Sequence, residues 1–271
     1  MKKNKAIYSK EHLKYLKNLR VNKVLTLTAQ VGILIGILLL WELLTRFMVL
    51  DPLFFSSPSR IIKTAIEMFS TKEIYKHIGI TLYECFLGFT ISTVAGTLIA
   101  IGLWWSDYFR RVIDPYLVVL NSLPKIALGP AIIVIMGLGI KAIVTMAILI
   151  CIIIAITTVL NGMLSCDPDK ILLMKSMGAS KFQILYKLLL PYSIPNFISV
   201  LKINIGLSWI GTIMGEYLTS RAGLGYLIVY GGQVFKMDLV MTSVFLLCIM
   251  AVGMYLLVSL IEKRVNKSRL Q

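Results

Sequence analysis

The sequence lacks the motifs that identify most enzymes. No nucleotide-binding signature GxxxxGK[ST] occurs in its 271 residues, so the chain does not bind ATP by that route. Three further catalytic patterns are missing: an HExxH pair, a GxSxG elbow with catalytic partners, and a pair of carboxylates spaced for acid–base catalysis. We therefore predict a protein that is not an enzyme, with no catalytic, cofactor-binding or metal-binding residues of its own.

Histidine and cysteine, the usual ligands of metals, are also scarce. The chain has two histidines and four cysteines, and no CxxC pair. The cysteines lie in or beside apolar runs, which is typical of small packing residues. These cysteines are Cys85, Cys151, Cys166 and Cys248.

Charge is scarce as well, whereas apolar residues are abundant and collected into long runs. Only 15% of residues are charged and 58% are hydrophobic, while a soluble domain would carry nearer a quarter charged residues. The sequence therefore predicts an all-α integral membrane protein with six transmembrane helices. The expected spans are roughly 24–50, 78–103, 116–137, 142–166, 192–215 and 239–261. The uncharged segment 222–235 is too short to cross and predicts a re-entrant or surface element.

The formal net charge of +15 is concentrated at the ends of the chain. Eight Lys and Arg residues precede position 24 and four more follow position 262, as expected of anchors on anionic lipid rather than of a nucleic-acid surface. Six spans place both termini on one side. The excess of basic residues on that side predicts that both termini, and the loop after the fourth span, are cytoplasmic.

That loop, between the fourth and fifth spans, has the pattern of a capped helical hairpin. Asp167 can cap a first helix, and Gly178 supplies the left-handed residue that often follows a helix end. Ser180 and Gln183 have the spacing of a capping box, which predicts the start of a second helix. Pro191, which has no backbone N–H, is expected to stop this second helix.

Each helix of the hairpin is expected to carry an apolar face, so the pair forms a platform for a partner rather than a reaction centre. The first face would contain Ile171, Leu172, Met174 and Met177, and the second Phe182, Leu185, Leu188 and Leu189. Four lysines are expected to keep the hairpin in water: Lys170, Lys175, Lys181 and Lys187.

The hairpin resembles the cytoplasmic EAA loop of permease subunits of ABC importers. Gly178, Ala179, Ser180, the Leu190–Pro191 pair and Pro195 fall in the register of that motif. The positions that match Glu-Ala-Ala are here Leu172, Leu173 and Met174, so the acidic residue of the motif is missing. The resemblance implies that the loop couples to an ATPase through Asp167, Leu172, Leu173, Met174, Met177, Gly178, Ala179, Ser180, Phe182, Gln183, Lys187 and Pro191.

The resemblance extends to segments 81–89, 121–139 and 215–240, which are similar to the nitrate/sulfonate/taurine branch of these permeases. It implies a type I importer fold in the bacterial inner membrane and two ATPase subunits that hold the ATP and Mg. It also implies a second copy of the chain and an extracytoplasmic binding protein. The cargo would be a nitrate-, sulfonate- or taurine-like anion or a thiamine-precursor pyrimidine. An ion-coupled secondary transporter and a structural membrane scaffold are the alternatives.

Charged and polar residues inside the spans are the candidates for a translocation pathway, because burying a charge in a bilayer is costly without a partner or water. The candidates are Asn121, Pro124, Lys125, Lys202 and Glu216. For Glu84 and Lys202 we favour interhelical pairing or snorkelling to an interface, and for Glu216 a gate or an external-surface role remains open. The chain is expected to divide into a basic segment 1–23, a first span and external loop 24–76, a permease core 77–262 with the coupling loop 166–191, and a basic tail 263–271.

Overall fold

The computed structural model describes the backbone of residues 10–269, and side chains at positions 15, 16, 18, 19 and 21–264. Residues 1–9, 270 and 271 of the predicted basic termini lie outside the described residues. Within the described part, every regular element is a helix, which confirms the all-α prediction. Two compact units divide between Lys63 and Thr64.

The first unit contains the first apolar helix and two short elements. Helix α1 is Lys10–Arg46, α2 is Pro52–Phe55, and α3, Pro58–Ser70, continues across the unit boundary. Glu42 of α1 accepts hydrogen bonds from the backbone N of Ser59 at 3.0 Å and from its Oγ at 2.8 Å. The end of α1 therefore satisfies a free amide in the first turn of α3.

The second unit holds the remaining helices. They are α4 Glu73–Trp105, α5 Asp107–Ser122, α6 Gly129–Met136, α7 Ile140–Leu164, α8 Pro168–Ser176, α9 Lys181–Ile184, α10 Leu190–Tyr192, α11 Ile194–Thr219, α12 Leu224–Gln233 and α13 Met237–Arg269. Among the described residues, five helices are long and apolar enough to span a membrane: α1, α4, α7, α11 and α13. The predicted domain start at residue 77 falls inside α4, so the second unit begins earlier.

The predicted third span, 116–137, is not one kinked helix. Helix α5 begins at Asp107, directly after α4, and a 3₁₀ turn at Lys125–Leu128 leads into α6 at an angle of 85° to α5. The break lies where Pro124, which has no N–H, holds the preceding Leu123 in extended backbone at ψ 138°. The charged segment with Arg110 and Arg111 therefore lies in the first half of α5.

Close glycine contacts show that α4 and α7 run parallel. A Cβ added at Gly88 would lie 2.5 Å from Cβ of Ala147, and one added at Gly96 would lie 2.6 Å from Cβ of Ala155. The contact moves toward the C-terminus on both helices, from Gly88 to Gly96 on α4 and from Ala147 to Ala155 on α7. Since α7 follows α4 in the chain and runs in the same direction, the intervening α5–α6 pair must cross back. The bent pair is therefore a broken span, and it completes the predicted six crossings.

Helix α11 runs antiparallel to α7 and completes a three-helix core. A Cβ on Gly211 would lie 2.5 Å from Cα of Ala147, and one on Gly215 would lie 2.8 Å from Cα of Ile143. Small residues allow such close backbone approach, which drives helix packing where water is absent. We call the end of this core at which α7 leads into α8 the hairpin end, and the end at which α11 leads into α12 the far end.

Candidate functional site

The first helix of the hairpin has the caps that the sequence predicts. Oδ1 of Asp167 accepts a hydrogen bond from the N of Asp169 at 3.0 Å and so caps α8. At the other end Gly178 has a φ of +79°, and the N of Ala179 donates to the carbonyl of Met174 at 3.0 Å. A side chain at position 178 would be strained in this left-handed conformation, so the glycine sets the angle of the hairpin.

The second helix begins with the predicted capping box but does not stop at Pro191. Gln183 Oε1 accepts from the N of Ser180 at 2.8 Å, and Ser180 Oγ accepts from the N of Gln183 at 3.3 Å. The helical path then continues through a π turn at Leu185–Leu189 into α10. The wider π turn accommodates Pro191, because the proline has no amide to lose and its ring needs space against the preceding turn.

The hairpin buries only part of each predicted apolar face. Ile171 and Met174 of α8 pack on the core, as do Leu185 and Leu189 of the second helix. Leu172, Met177 and Phe182 of the predicted faces are instead exposed. We call the following set the exposed hairpin residues: Leu172 (65% exposed), Leu173 (60%), Met177 (76%), Phe182 (64%) and Tyr186 (66%).

Lys181 ties the hairpin to the end of α4, a role that the sequence did not reveal. Its Nζ donates to the carbonyl oxygen of Trp105, and it lies 5.7 Å and 5.5 Å from the ring centroids of Trp104 and Trp105. At the exit of the hairpin, the hydroxyl of Tyr192 donates to the carbonyl of Ser165 at 3.0 Å. The hairpin is thus held to α4 by side-chain contacts and to α7 and α11 by the chain itself.

The five predicted pathway residues lie in three separate places. Asn121, Pro124 and Lys125 are together at the break of the third span, where Lys125 Nζ lies 3.5 Å from Oδ1 of Asn121. Lys202 and Glu216 are 14 positions apart on α11, which separates them by about 21 Å along the helix axis. The structure therefore brings three of the five together.

Lys202 and Glu216 do not face open space. Lys202 Nζ lies 2.6 Å from Oε2 of Glu262 on α13, the interhelical pairing that was favoured for it. Glu216 is only 1% exposed, so its side chain does not lie on an external surface. Its burial follows from α12, which folds back over the end of α11.

A buried polar cluster at the far end holds the first turn of α12. Glu216 Oε2 accepts a hydrogen bond from the N of Gly225 at 2.5 Å, and the N of Leu224 donates to Thr81 Oγ1 at 2.8 Å. His77 Nδ1 lies 3.0 Å from the N of Gly223. A carboxylate is favourable at a helix N-terminus, where free amides and the helix dipole both point at it.

Both glycines of the Gly-Leu-Gly segment leave room for Glu216. Gly223 has a φ of +121°, and a Cβ there would lie 2.4 Å from the Glu216 carboxyl carbon. A Cβ on Gly225 would lie 2.7 Å from Glu216 Oε2. The carboxylate that occupies this turn comes from another element, α11.

Glu84 of α4 belongs to the same cluster. It is 1% exposed and lies next to the carboxyl group of Glu216. Within the described residues, Glu84 Oε2 and Glu216 Oε1 have no donor partner. Beside the cluster, a cavity of about 500 Å³ is lined by Glu84 together with Ile80, Ile140, Ile143 and Arg221, among others.

The fold defines a class: a helical membrane protein whose described residues include five helices long and apolar enough to span a bilayer and one broken span. The chain belongs to the family of binding-protein-dependent transport system inner membrane components, whose model matches residues 92–270. Members of this family, by its description, serve transport systems that depend on a binding protein.

Two curated relatives and a solved structure agree with this assignment. The chain is 30% identical to the formylaminopyrimidine transport permease ThiX of Halalkalibacterium halodurans over 70% of this chain and 75% of that protein. It is 22% identical to the taurine transport permease TauC of Escherichia coli, over 88% and 89% of the two chains. The crystal structure of a bacterial ABC transporter that imports alginate matches with a TM-score of 0.64 at 13% identity, covering 91% of this chain and 99% of that one.

These relatives decide between the alternatives that the sequence left open. They are ABC importer permeases of the nitrate/sulfonate/taurine branch, which favours an importer permease over an ion-coupled secondary transporter. The fold of the alginate transporter agrees with the predicted type I permease fold. The family is one of inner-membrane transport components.

Proposed function

We propose that this chain imports a small solute by alternating access, driven by ATP hydrolysis in a separate subunit that docks on the hairpin. The observation that carries the proposal is the set of exposed hairpin residues. They are large and apolar, yet they lie on the hairpin rather than along a membrane span. An exposed apolar set on a capped, rigid element is typical of a protein–protein contact.

The attachment of the hairpin supports a mechanical role. The chain joins it to α7 and α11, and Lys181 joins it to the end of α4. A force on the hairpin therefore reaches all three core helices. Closure of two ATPase subunits on ATP would bring the hairpins of two permease copies together and open the pathway at the far end, and hydrolysis would reset it.

The partners and the placement in the membrane follow from the family. The ATP and Mg belong to the ATPase subunits, and this chain holds no cofactor. A second copy of the chain completes the transporter, lipid surrounds the apolar helices, and a binding protein docks at the far end. The hairpin end and both termini lie in the cytoplasm of a bacterial cell, with the chain in its inner membrane.

Among the candidate pathway residues, Asn121, Pro124 and Lys125 carry the pathway proposal. Asn121 and Pro124 are exposed and Lys125 is half-buried, at the one broken span among the described helices. Non-helical backbone at membrane depth is tolerated where it lines a cavity or is covered by protein. Lys202 is instead paired with Glu262, and Glu216 is buried at the far end.

The test is to purify the tagged full-length chain from the membranes of its own host and to identify what accompanies it. We expect an ATPase that contains the GxxxxGK[ST] signature and a solute-binding protein, and ATP hydrolysis by the complex. A companion variant, Leu173→Asp, places a charge among the exposed hairpin residues and should lower recovery of the ATPase. A chain that purifies alone and moves solute with a proton gradient would refute the proposal.

A further inference from the structure

Helix α3 carries an exposed apolar stripe that the coupling mechanism does not use. The stripe consists of Ile62, Ile66 and Phe69, which follow one another at intervals of four and three residues. Ile62 is 61% exposed and Ile66 is 66% exposed. Residues at these intervals lie on one face of a helix, so the three side chains form one continuous apolar surface.

A second exposed stripe of the same helix is charged. It consists of Arg60, Lys63 and Glu67, at intervals of three and four residues. Since each residue turns an α-helix by about 100°, the centre of the charged stripe lies about 130° around the axis from the centre of the apolar one. The two stripes therefore face different surroundings.

The remaining side of α3 is held against the protein. Ile61 is only 7% exposed, and Met68 packs on the apolar cluster that contains Ile74 of α4. The ring of Phe69 also meets the ring of Tyr75 edge-on, with 5.6 Å between the centroids. These contacts fix the rotation of α3 about its own axis, so each exposed stripe has a defined direction.

Both ends of α3 are held at the level where membrane spans end. Its first turn is bonded through Ser59 to Glu42, in the last turns of α1. Its last residue is Ser70, and α4 begins at Glu73. Since α1 and α4 are consecutive candidate spans, the end of α1 and the start of α4 lie on the same side of the membrane. A helix of 13 residues, about 20 Å long, that joins these two points therefore lies along the membrane surface.

We propose that α3 is an interfacial anchor whose partner is the phospholipid surface on the far-end side. The apolar stripe enters the boundary of the acyl chains, and the charged stripe faces the water. Arg60 and Lys63 have side chains long enough to reach lipid phosphate groups from the edge of that stripe. In water alone, two isoleucines and a phenylalanine would stay hydrated, which is unfavourable.

The anchor determines the depth of α4 in the membrane. Met68 and Phe69 attach α3 to the start of α4, and His77 and Thr81 of α4 hold the first turn of α12. A helix kept in the interface thus fixes the level of the whole far end. This inference goes beyond the proposed import function, because it depends on neither the cargo nor the ATPase.

The test measures the depth of spin labels on the full-length chain in nanodiscs of phosphatidylethanolamine and phosphatidylglycerol. The exposed Cys248 is first replaced by serine, while Cys85, Cys151 and Cys166 are buried. A label is then attached to Ile62→Cys or Ile66→Cys on the apolar stripe. The matched controls are the next residues along the helix, Lys63→Cys and Glu67→Cys. Power-saturation EPR compares collisions with oxygen, which concentrates in hydrocarbon, and with a polar nickel chelate, which stays in water.

We expect the ratio of oxygen to nickel collisions to be at least about fivefold higher on the apolar stripe than at its neighbours, because the bilayer excludes the polar chelate. Two further labels calibrate the scale. Ile249→Cys, on the exposed side of the spanning α13, gives the lipid value. Lys175→Cys on the hairpin gives the water value.

Two results would overturn the inference. Nickel collisions at Ile62→Cys and Ile66→Cys as frequent as at Lys175→Cys would mean that the apolar stripe lies in water, open to a binding protein. Few collisions with either reagent would mean that a second copy of the chain covers the stripe. Either result would leave the proposed import function standing, because the ATPase that accompanies the chain tests that function separately.

Discussion

At the scale of single residues, the Glu216 carboxylate organises more of the far end than any other side chain described. It lies on α11, holds the first amides of α12 and contacts Glu84 of α4. A charged group buried in a membrane protein is costly unless it is hydrogen-bonded, so each of these contacts offsets part of that cost. The glycines around it are therefore required because a side chain there would collide with the carboxylate, and not only because of their backbone conformation.

We predict that Gly225→Ala destabilises the protein. Its Cβ would lie 2.7 Å from Glu216 Oε2 and 2.8 Å from Glu216 Cβ, so the carboxylate must move away from the amides of α12. The expected loss is about 1–3 kcal/mol, or a few degrees in the midpoint of thermal unfolding. Thermal unfolding of the purified protein, followed by size-exclusion chromatography, measures it.

Gly232→Ala is the matched control for this prediction. Gly232 lies on the same helix, with no atom within 4 Å of an added Cβ, so alanine there should leave the midpoint unchanged or raise it slightly. If both variants unfold at the same temperature, the absence of a side chain at Gly225 is not needed to accommodate Glu216.

At the scale of elements, the hairpin owes its geometry to local caps and its stiffness to distant contacts. Its turn depends on Gly178 at a φ of +79°, with nothing near the missing side chain. The side chain of Lys181 then fastens the start of α9 to Trp105. The hairpin bends at Gly178 and is held by contacts at both ends, so it can transmit force without changing its shape.

We expect Gly178→Val to uncouple ATP hydrolysis from transport. A β-branched residue in the left-handed region costs about 1–3 kcal/mol, so the turn would rearrange and shift α8 relative to α9. Uptake of solute into proteoliposomes that contain the complete transporter should fall by at least about tenfold. Insertion into the membrane should be unaffected, since the spans are untouched.

Gly253→Val serves as the control, because Gly253 lies in α13 with free space around it and ordinary helical backbone. Normal uptake by Gly178→Val, at the rate shown by Gly253→Val, would mean that the bend of the hairpin is not part of the coupling.

At the scale of the whole second unit, the parallel arrangement of α4 and α7 places the hairpin and the far end at opposite ends of the core. Helix α11, with 26 residues, is about 39 Å long, enough to span the hydrocarbon layer. The hairpin precedes this helix, and the α12 segment follows it. The two ends must therefore lie on opposite sides of the membrane.

Cysteine labelling in intact cells tests this topology. We replace the exposed Cys248 by serine and introduce either Lys175→Cys on the hairpin or Lys236→Cys between α12 and α13. A membrane-impermeant maleimide should label Lys236→Cys from outside, and Lys175→Cys only after the cells are permeabilised. Labelling of both positions from the same side would contradict the six-crossing topology.

Local patterns allowed the hairpin and most spans to be predicted from the sequence. The caps at Asp167, Gly178 and Ser180 form between residues two to five positions apart, so short-range spacing contains the whole interaction. The length of an apolar run likewise predicts a membrane span, because the thickness of the membrane sets a minimum number of residues. The 85° bend at Pro124 could not be predicted in this way, because packing against α7 and α11 sets the angle.

The sequence by itself thus determined the class of protein, the number of crossings and the caps of the hairpin, each of which depends on composition or on near neighbours in the chain. Only the tertiary structure decided that Glu84 meets Glu216, that Lys181 reaches Trp105 and that the glycines at 223 and 225 surround a carboxylate. Except for the glycine turn, these contacts join residues more than 70 positions apart. No local pattern encodes which face of one helix meets which face of another, because that choice depends on how all the helices pack at once.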